Sequence, residues 1–494
     1  MYKFSKNRQI SLCDFNQPIG LKMNPDNRWV KKAETIPWDA IEERYAKLFP
    51  SNTGVPAKPL RMALGSLLIQ RQLGFSDREL VEEIRENPYL QYFVGLPGYQ
   101  SEAPYVPSLL VEFRKRLTDE IIGEINEMII EYNTSGDPGD GGASGGSEKK
   151  ETVDDDSENE GTLILDATCA PQNIRFPQDI NLLNEARENL EKMIDALCEG
   201  YGYYRPRIYR ENARRDYLSL AKCRKRSAKK IRNAIKKQLQ YVRRHRRYID
   251  EFLAAGCELT AKQKERLSVI DKVLEQQEYM YKNNVHSVPG RIVSIDQPYI
   301  RPIVRGKAAA PTEFGAKMDL SLDENGMARL EKMSYEAYNE SDVLIGAVER
   351  YAKREGHYPE RVLVDQIYRN RKNLAYCKEH GIRMSGPLLG RPKKDSIVRK
   401  EERKLAYRDN TDRIAVERAF ALAKHSYGLG LITARLDKTT RNAIAMSVLA
   451  MNVDRIVARR AILLLCAVFD MIEKTINQMG VTRGQLSCRC AAAC

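Results

Sequence analysis

The chain has 494 residues, 42% hydrophobic and 30% charged, which is length and apolar content enough for two or three globular units with a sizeable core. Its longest apolar run, Ala461 to Phe469, is nine residues, far short of the roughly 20 that cross a bilayer. The opening MYKFSKNRQISLCDF has no apolar signal-peptide core, so a cytoplasmic protein with no membrane span is expected.

The formal net charge of +14 is concentrated in one arm. Between Arg205 and Arg247 lie 18 Lys and Arg against Glu211 and Asp216, which leaves the rest of the chain close to neutral. Such an arm points to a polyanionic partner, most simply nucleic acid. The ten cysteines have no paired spacing and read as free thiols. Cys488, Cys490 and Cys494 lack CxxC spacing and a nearby histidine, so they read as a frayed tail and not a zinc site.

Residues 1 to 34 are polar and weakly patterned around Trp29. From Ile36 to Tyr132 the pattern is helical. PWDAIEERYAKLF, PLRMALGSLLIQRQL and SDRELVEEIREN, the last opened by a Ser76/Glu79 capping box, lead to NPYLQYFVGL and then to PSLLVEFRKRLTDEIIGEINEMIIEY. Gly74-Phe75-Ser76 is short enough for a helix-turn-helix, and Arg114, Lys115 and Arg116 are candidate DNA contacts. Residues 134 to 161, rich in Gly, Ser and acids without apolar anchors, form a linker.

TLILDATC, residues 162 to 169, reads as a buried strand delivering Asp166 to its end. Residues 181 to 284 are charged and helical. Within them Arg224, Lys225, Arg226, Lys229, Lys230, Lys236, Lys237, Arg243 and Arg244 are candidate phosphate contacts, because so one-sided a charge density cannot be satisfied by intrahelical pairs. GRIVSID, Gly290 to Asp296, is the next expected strand. GAKMDLSL and MARLEKMSYE form a hairpin through an Asn-Gly turn. Ser341 to Gly356 is a helix ended by glycine. RVLVDQIY brings Asp365 to the end of a second buried strand; NRKNLAYCKEHG is a helix and IRMSGP a last strand. Gly390-Arg391-Pro392, with Lys393 and Lys394, reads as an ordinary basic loop.

NTDRIAVERAFALAKHSY, Asn410 to Tyr427, is predicted to be a mostly buried helix with one narrow polar stripe. At 100° per residue, Arg413, Glu417 and Lys424 fall on that stripe. Without its basic helical arm, the remainder reads as a mixed α/β sheet with acids at two strand ends and on one late helix, the arrangement of an RNase H-like core. Asp166, Asp365 and Glu417 are the natural carboxylate set for two-metal phosphodiester chemistry.

These segments resemble the DDE-type transposases of bacterial insertion sequences over most of residues 36 to 455. ILDATCAPQNIRFPQDINLLNEAR is similar to that family's first-aspartate segment, RPIVRGKAAAPTEFGAKMDLSL to its second and third strands, and VLVDQIYRNRKN to its second-aspartate segment. Arg413, Glu417 and Lys424 match three positions of its YREK signature; the tyrosine position falls on Asn410, with Tyr407 one turn away. PLRMALGSLLIQRQLGFSDRELVEEIRENPYLQYFVGL resembles its N-terminal DNA-binding domain.

The resemblance implies a DNA transposase that cleaves phosphodiester bonds at the ends of its element and transfers the 3′-OH ends to target DNA. It implies two Mg²⁺ ions on Asp166, Asp365 and Glu417, with Mn²⁺ able to substitute, and phosphate-holding roles for Arg413 and Lys424. Double-stranded DNA is the implied partner, bound by a homodimer associated with the bacterial nucleoid. Asp296 and Asp319 fall in segments to which the family assigns no catalytic role. A catalytically inactive, domesticated DNA-binding protein and an RNase H-like nuclease without strand transfer are the alternatives.

The expected organisation is a helical N-terminal DNA-binding domain (1–133), the acidic linker (134–161), an RNase H-like catalytic domain (162–180 and 288–460) interrupted by a basic helical insertion (181–287), and a C-terminal helix and tail (461–494).

Overall fold

The computed structural model describes residues 11–17, 22–49, 56–134, 159–304, 312–386 and 396–478. Most of the expected linker, the basic loop at 390–394 and the tail cysteines lie outside these residues.

Seven helices come first: α1 (Arg28–Thr35), α2 (Trp38–Ala46), α3 (Leu60–Leu73), α4 (Asp77–Glu86), α5 (Pro88–Phe93), α6 (Leu109–Arg116) and α7 (Asp119–Thr134). Ser76 and Glu79 close the expected capping box at the start of α4, and Gly74 ends α3 in the left-handed conformation at φ +73°. The single run read from Pro107 to Tyr132 is two helices. At Leu117 the chain leaves helical geometry, with φ −86° and ψ 78°, before α7 begins at Asp119.

β1 (Thr162–Pro171) is followed by α8 (Asp179–Tyr201), α9 (Arg210–Ala221), α10 (Ala228–Ala254) and α11 (Ala261–Asn283). Then come β2 (Arg301–Val304), β3 (Thr312–Leu322), β4 (Ala328–Ser334), α12 (Leu344–Glu355), β5 (Arg361–Leu363), α13 (Arg371–Glu379), β6 (Arg383–Met384), α14 (Ser396–Ser426) and α15 (Asp437–Gln478). The mixed α and β content with a helical N-terminal region agrees with the sequence reading.

GRIVSID is not a strand. Ile292 and Ile295 are buried in the core of α8, α10 and α11, and Asp296 pairs with Arg266 of α11 at 2.7 Å. That apolar run seals the helical region, and the sheet resumes at Arg301. The β3–β4 hairpin forms as expected, its turn held by Gly326 at φ +75° and by Asp323, which accepts from the Met327 amide at 2.8 Å.

The sheet runs β4-β3-β1-β5-β6, with β2 on the same edge of β3 as β4. β1 is antiparallel to β3 and parallel to β5, and β5 is parallel to β6. Alternate residues face two different cores. Leu163, Leu165, Val362 and Val364 face α12 and α13, while Ile164 and Leu363 face a larger core shared with α14, α15 and the N-terminal helices.

That larger core does not stop at the boundary the linker suggested. Asn452 of α15 accepts from the Ala328 amide at 2.9 Å, and donates to the Ala328 carbonyl at 2.7 Å and to Asn126 of α7 at 2.8 Å. Arg329, 5% exposed, bridges Asp323 of the hairpin turn and Glu127 of α7. α15 also runs unbroken through residue 461, where a separate terminal helix was expected to begin.

Candidate active site and nucleic-acid interface

β1 pairs with β3 from Ile164 to Pro171, but with β5 only from Thr162 to Ile164. The last parallel pair is Ile164 with Leu363. Two residues beyond it in each strand direction stand Asp166 and Asp365, so the two acids occupy matching positions where the strands part. Asp166 therefore lies in the middle of a ten-residue strand, not at its end; what ends beside it is β5. With period-two alternation, both acids share the face of Ile164 and Leu363, the face that α14 covers.

Asp166 is 19% exposed at its side chain and accepts from the Ala167 amide at 2.8 Å. Burial raises its pKa to about 6; the Ala167 amide and Arg413 oppose the rise, while Glu340 and Asp365 add to it. Asp365 is exposed and caps a single 3-10 turn, Gln366–Tyr368, by accepting from the Gln366 amide at 2.6 Å.

α14 is one helix of 31 residues. Val416, Ala419, Phe420 and Ala423 pack on the sheet, yet Ile414 is 38% and Leu422 42% exposed, so the helix is amphipathic and not mostly buried as read from its sequence. Its polar stripe reaches Asp166 through Arg413. Arg413 sits between acids, 2.9 Å from Glu417 and 3.8 Å from Asp166. Lys424 is half-buried two turns farther along. Asn410 and Tyr407 are both exposed, the tyrosine by 76%.

The acids so assembled offer hard oxygen ligands, and the crowding of Asp166 by Asp365 and Glu340 is a repulsion that a divalent cation relieves. Asp166 and Asp365 thus fit such an ion. Glu417 was expected to complete the set, but its carboxylate is drawn to Arg413 one turn earlier, the ordinary i,i+4 pairing of a helix surface. Among the described residues no three Asp, Glu, His or Cys side chains converge closely enough to hold a metal.

One neighbour, Glu340, escaped the sequence reading, while Asp319 reads there as an acid without a catalytic role. Glu340 pairs with Lys317 at 2.7 Å and acts electrostatically on Asp166. Asp319, fully buried, accepts from the phenols of Tyr338 and Tyr368. Nothing in the local sequence marks Tyr338 or Glu340; Asp319 within β3 was the one available signal.

The candidate phosphate contacts divide. Arg224, Lys225, Lys229, Lys230 and Lys236 are exposed, with no ion-pair partner among the described residues. Arg226 donates to the Cys223 and Ala221 carbonyls and to Gln178. Lys237 pairs with Asp216 at 2.8 Å, Arg243 pairs with Glu278, and Arg244 lies 4.8 Å from the Tyr209 ring.

In the N-terminal helices Arg114 is gripped by Asp77 and Gln70. Lys115 pairs with Glu112 at 2.8 Å, and Arg116 stacks on Phe49 at 5.1 Å. The expected contact surface there is thereby reduced, because Arg114 serves to lock α6 onto α3 and α4.

Residues 362–454, which include Asp365, Arg413, Glu417 and Lys424, match the family model described as a transposase DDE domain. Residues 19–116 match the one described as a transposase domain, DUF772. The two matches together indicate an insertion-sequence DDE transposase. A protein of Rhizobium meliloti, described as uncharacterized protein ORF8 in the nfe locus, is 27% identical over 176 residues, covering 36% of this chain and 77% of that protein. No solved structure matches the chain. Among the described residues no helix is long and apolar enough to cross a membrane.

Proposed function

We propose that this transposase cuts phosphodiester bonds at the ends of its own element and joins the freed 3′-hydroxyls to target DNA, with Asp166, Asp365 and Glu417 as its acids. The observation that carries this reading is the matched placement of Asp166 and Asp365 where β1 and β5 part, with Arg413 reaching from Asp166 to Glu417. An RNase H-like core interrupted by α8–α11 is supported by the strand order and by the separate core of those helices.

Two Mg²⁺ or Mn²⁺ ions would stabilise the attacking and leaving oxygens. Asp166 and Asp365 supply carboxylate oxygens from a rigid strand and a capped turn. Arg413 orients Glu417 and, with Lys424, offers positive charge to a phosphate entering along α14. The exposed cations of α10 and of the loop before it hold flanking backbone without reading sequence. The α3–α4 turn has helix-turn-helix length, but α4 exposes Glu79, Glu82 and Glu86, which favours assigning DNA contact to α10 first. A homodimer on DNA in the nucleoid completes the reading.

A supercoiled plasmid carrying the gene with its flanking DNA tests it. Wild-type protein with Mg²⁺ should release 3′-hydroxyl ends and form joined products, while Asp166→Asn and Asp365→Asn should each lose activity on the order of 10³-fold. DNA binding without cleavage by the wild type would sink the enzyme reading. Cleavage without joining would leave a nuclease.

A further inference from the structure

The 3-10 turn that follows Asp365 is anchored more firmly than a surface turn needs. Its last residue, Tyr368, is fully buried and donates its phenol to Asp319 Oδ1 at 2.9 Å. The Tyr368 amide closes on the Asp365 carbonyl at 3.1 Å. The Tyr368 carbonyl accepts from Asn373 Nδ2 at 2.9 Å, and the same amide group donates to the Ser341 carbonyl at 2.8 Å. β3 and α13 therefore both hold this one residue, and Asn373 ties it on to the turn before α12.

Asp319 is placed to serve this purpose. Its Cα is paired with that of Ala167, the residue after Asp166, and the β3–β4 register shifts between Asp319 and Leu320. Such a shift re-aims a side chain beside a functional site. The other carboxylate oxygen accepts from Tyr338, whose ring lies under Lys317 and Lys332 at 4.7 and 4.2 Å. A buried carboxylate with both oxygens taken by phenols is a fixed point.

We propose that Asp319 and Tyr368 are positioning residues: the phenol, held on a carboxylate adjacent to Asp166 in the sheet, sets where Asp365 stands relative to Asp166. This rests on the reading of Asp166 and Asp365 as the site's acids. The route is short and covalent at one end, because Tyr368 is three residues from Asp365 within one hydrogen-bonded turn.

Tyr368→Phe keeps the ring and removes only the hydroxyl; Asp319→Asn keeps the shape. Both should bind plasmid DNA in EDTA as wild type does, yet cleave about 10- to 100-fold more slowly. Their melting temperature should need about tenfold more MnCl₂ to complete half of its rise. Tyr105→Phe, which removes another buried hydroxyl, bonded to Ser66 at 2.6 Å in the N-terminal helices, should leave the MnCl₂ midpoint unchanged. A merely structural role would lower the melting temperature without moving that midpoint. If Asp365→Asn is inactive while Tyr368→Phe matches wild type in both midpoint and cleavage rate, the positioning role is wrong and the functional reading stands. If Asp365→Asn itself still cleaves, that reading fails and the positioning role with it. Should Asp319→Asn not fold, Tyr368→Phe decides alone.

Discussion

In the N-terminal helices several cations are already paired: Arg114 is held by Asp77 and Gln70, Arg85 by Glu82 at 2.6 Å, and Lys32 by Asp454 of α15 at 2.6 Å. In α10 and the loop before it, Arg224, Lys225, Lys229, Lys230 and Lys236 project into solvent. The two regions differ in their cores as well. α1–α7 share theirs with the sheet and α15, whereas α8, α10 and α11 close a core of their own. From the sequence, the Arg114-Lys115-Arg116 cluster and the basic arm both read as candidate DNA contacts. Pairing separates them, because a guanidinium already neutralised by a nearby carboxylate has little left to offer a phosphate.

The widest test of that difference removes the five unpaired cations together. The variant with alanine at Arg224, Lys225, Lys229, Lys230 and Lys236 should bind duplex DNA roughly 10²- to 10³-fold more weakly at low salt, and its log–log salt slope should flatten by about 4. An unchanged slope would move the DNA interface elsewhere on the chain.

The acids invite the same comparison: Asp77 is paired with Arg114, while Asp166 is buried, with Glu340 and Asp365 adding to the effect of burial. Its folded pKa of about 6 exceeds the ordinary 3.8, so the folded chain holds this proton more tightly than the unfolded chain. Stability from that proton is present below about pH 4 and lost as pH rises through 6. In EDTA at pH 8, Asp166→Asn should therefore be more stable than wild type by up to about 3 kcal/mol, and the gain should vanish near pH 4. Denaturant melts at both pH values check it; a variant weaker than wild type at pH 8 would contradict the cost of burying the Asp166 carboxylate.

Smaller effects probe the shared core. Asn452→Ala strands polar groups on β4 and α7 and should cost about 2 kcal/mol in urea unfolding. A second, separate transition for the N-terminal helices would show that they do not fold with the sheet. Arg114→Ala should cost about 1 kcal/mol and leave the DNA salt slope where it was. A flatter slope would restore Arg114 as a DNA contact.

Much of this architecture was legible before any coordinates. Hydrophobic runs bounded by turn signals identified β1, β5 and the β3–β4 hairpin, because buried strands and an Asn-Gly turn are local properties. The capping box at Ser76 and the glycine stop at Gly356 were equally local. GRIVSID misled because an apolar run of seven residues packs as well against helices as within a sheet; only its neighbours decide.

At the site, sequence by itself determined the candidates: two aspartates, each following an apolar run, and Arg413, Glu417 and Lys424 on one helical stripe, since periodicity alone sets which residues share a face. Tertiary structure decided the rest. The early end of β5 beside β1 makes Asp166 a mid-strand residue next to Asp365. Arg413 reaches from α14 to Asp166 on β1, and a phenol from a distant turn finds Asp319. Those relations join residues tens to hundreds of positions apart, where strand register and packing act and no local pattern reaches.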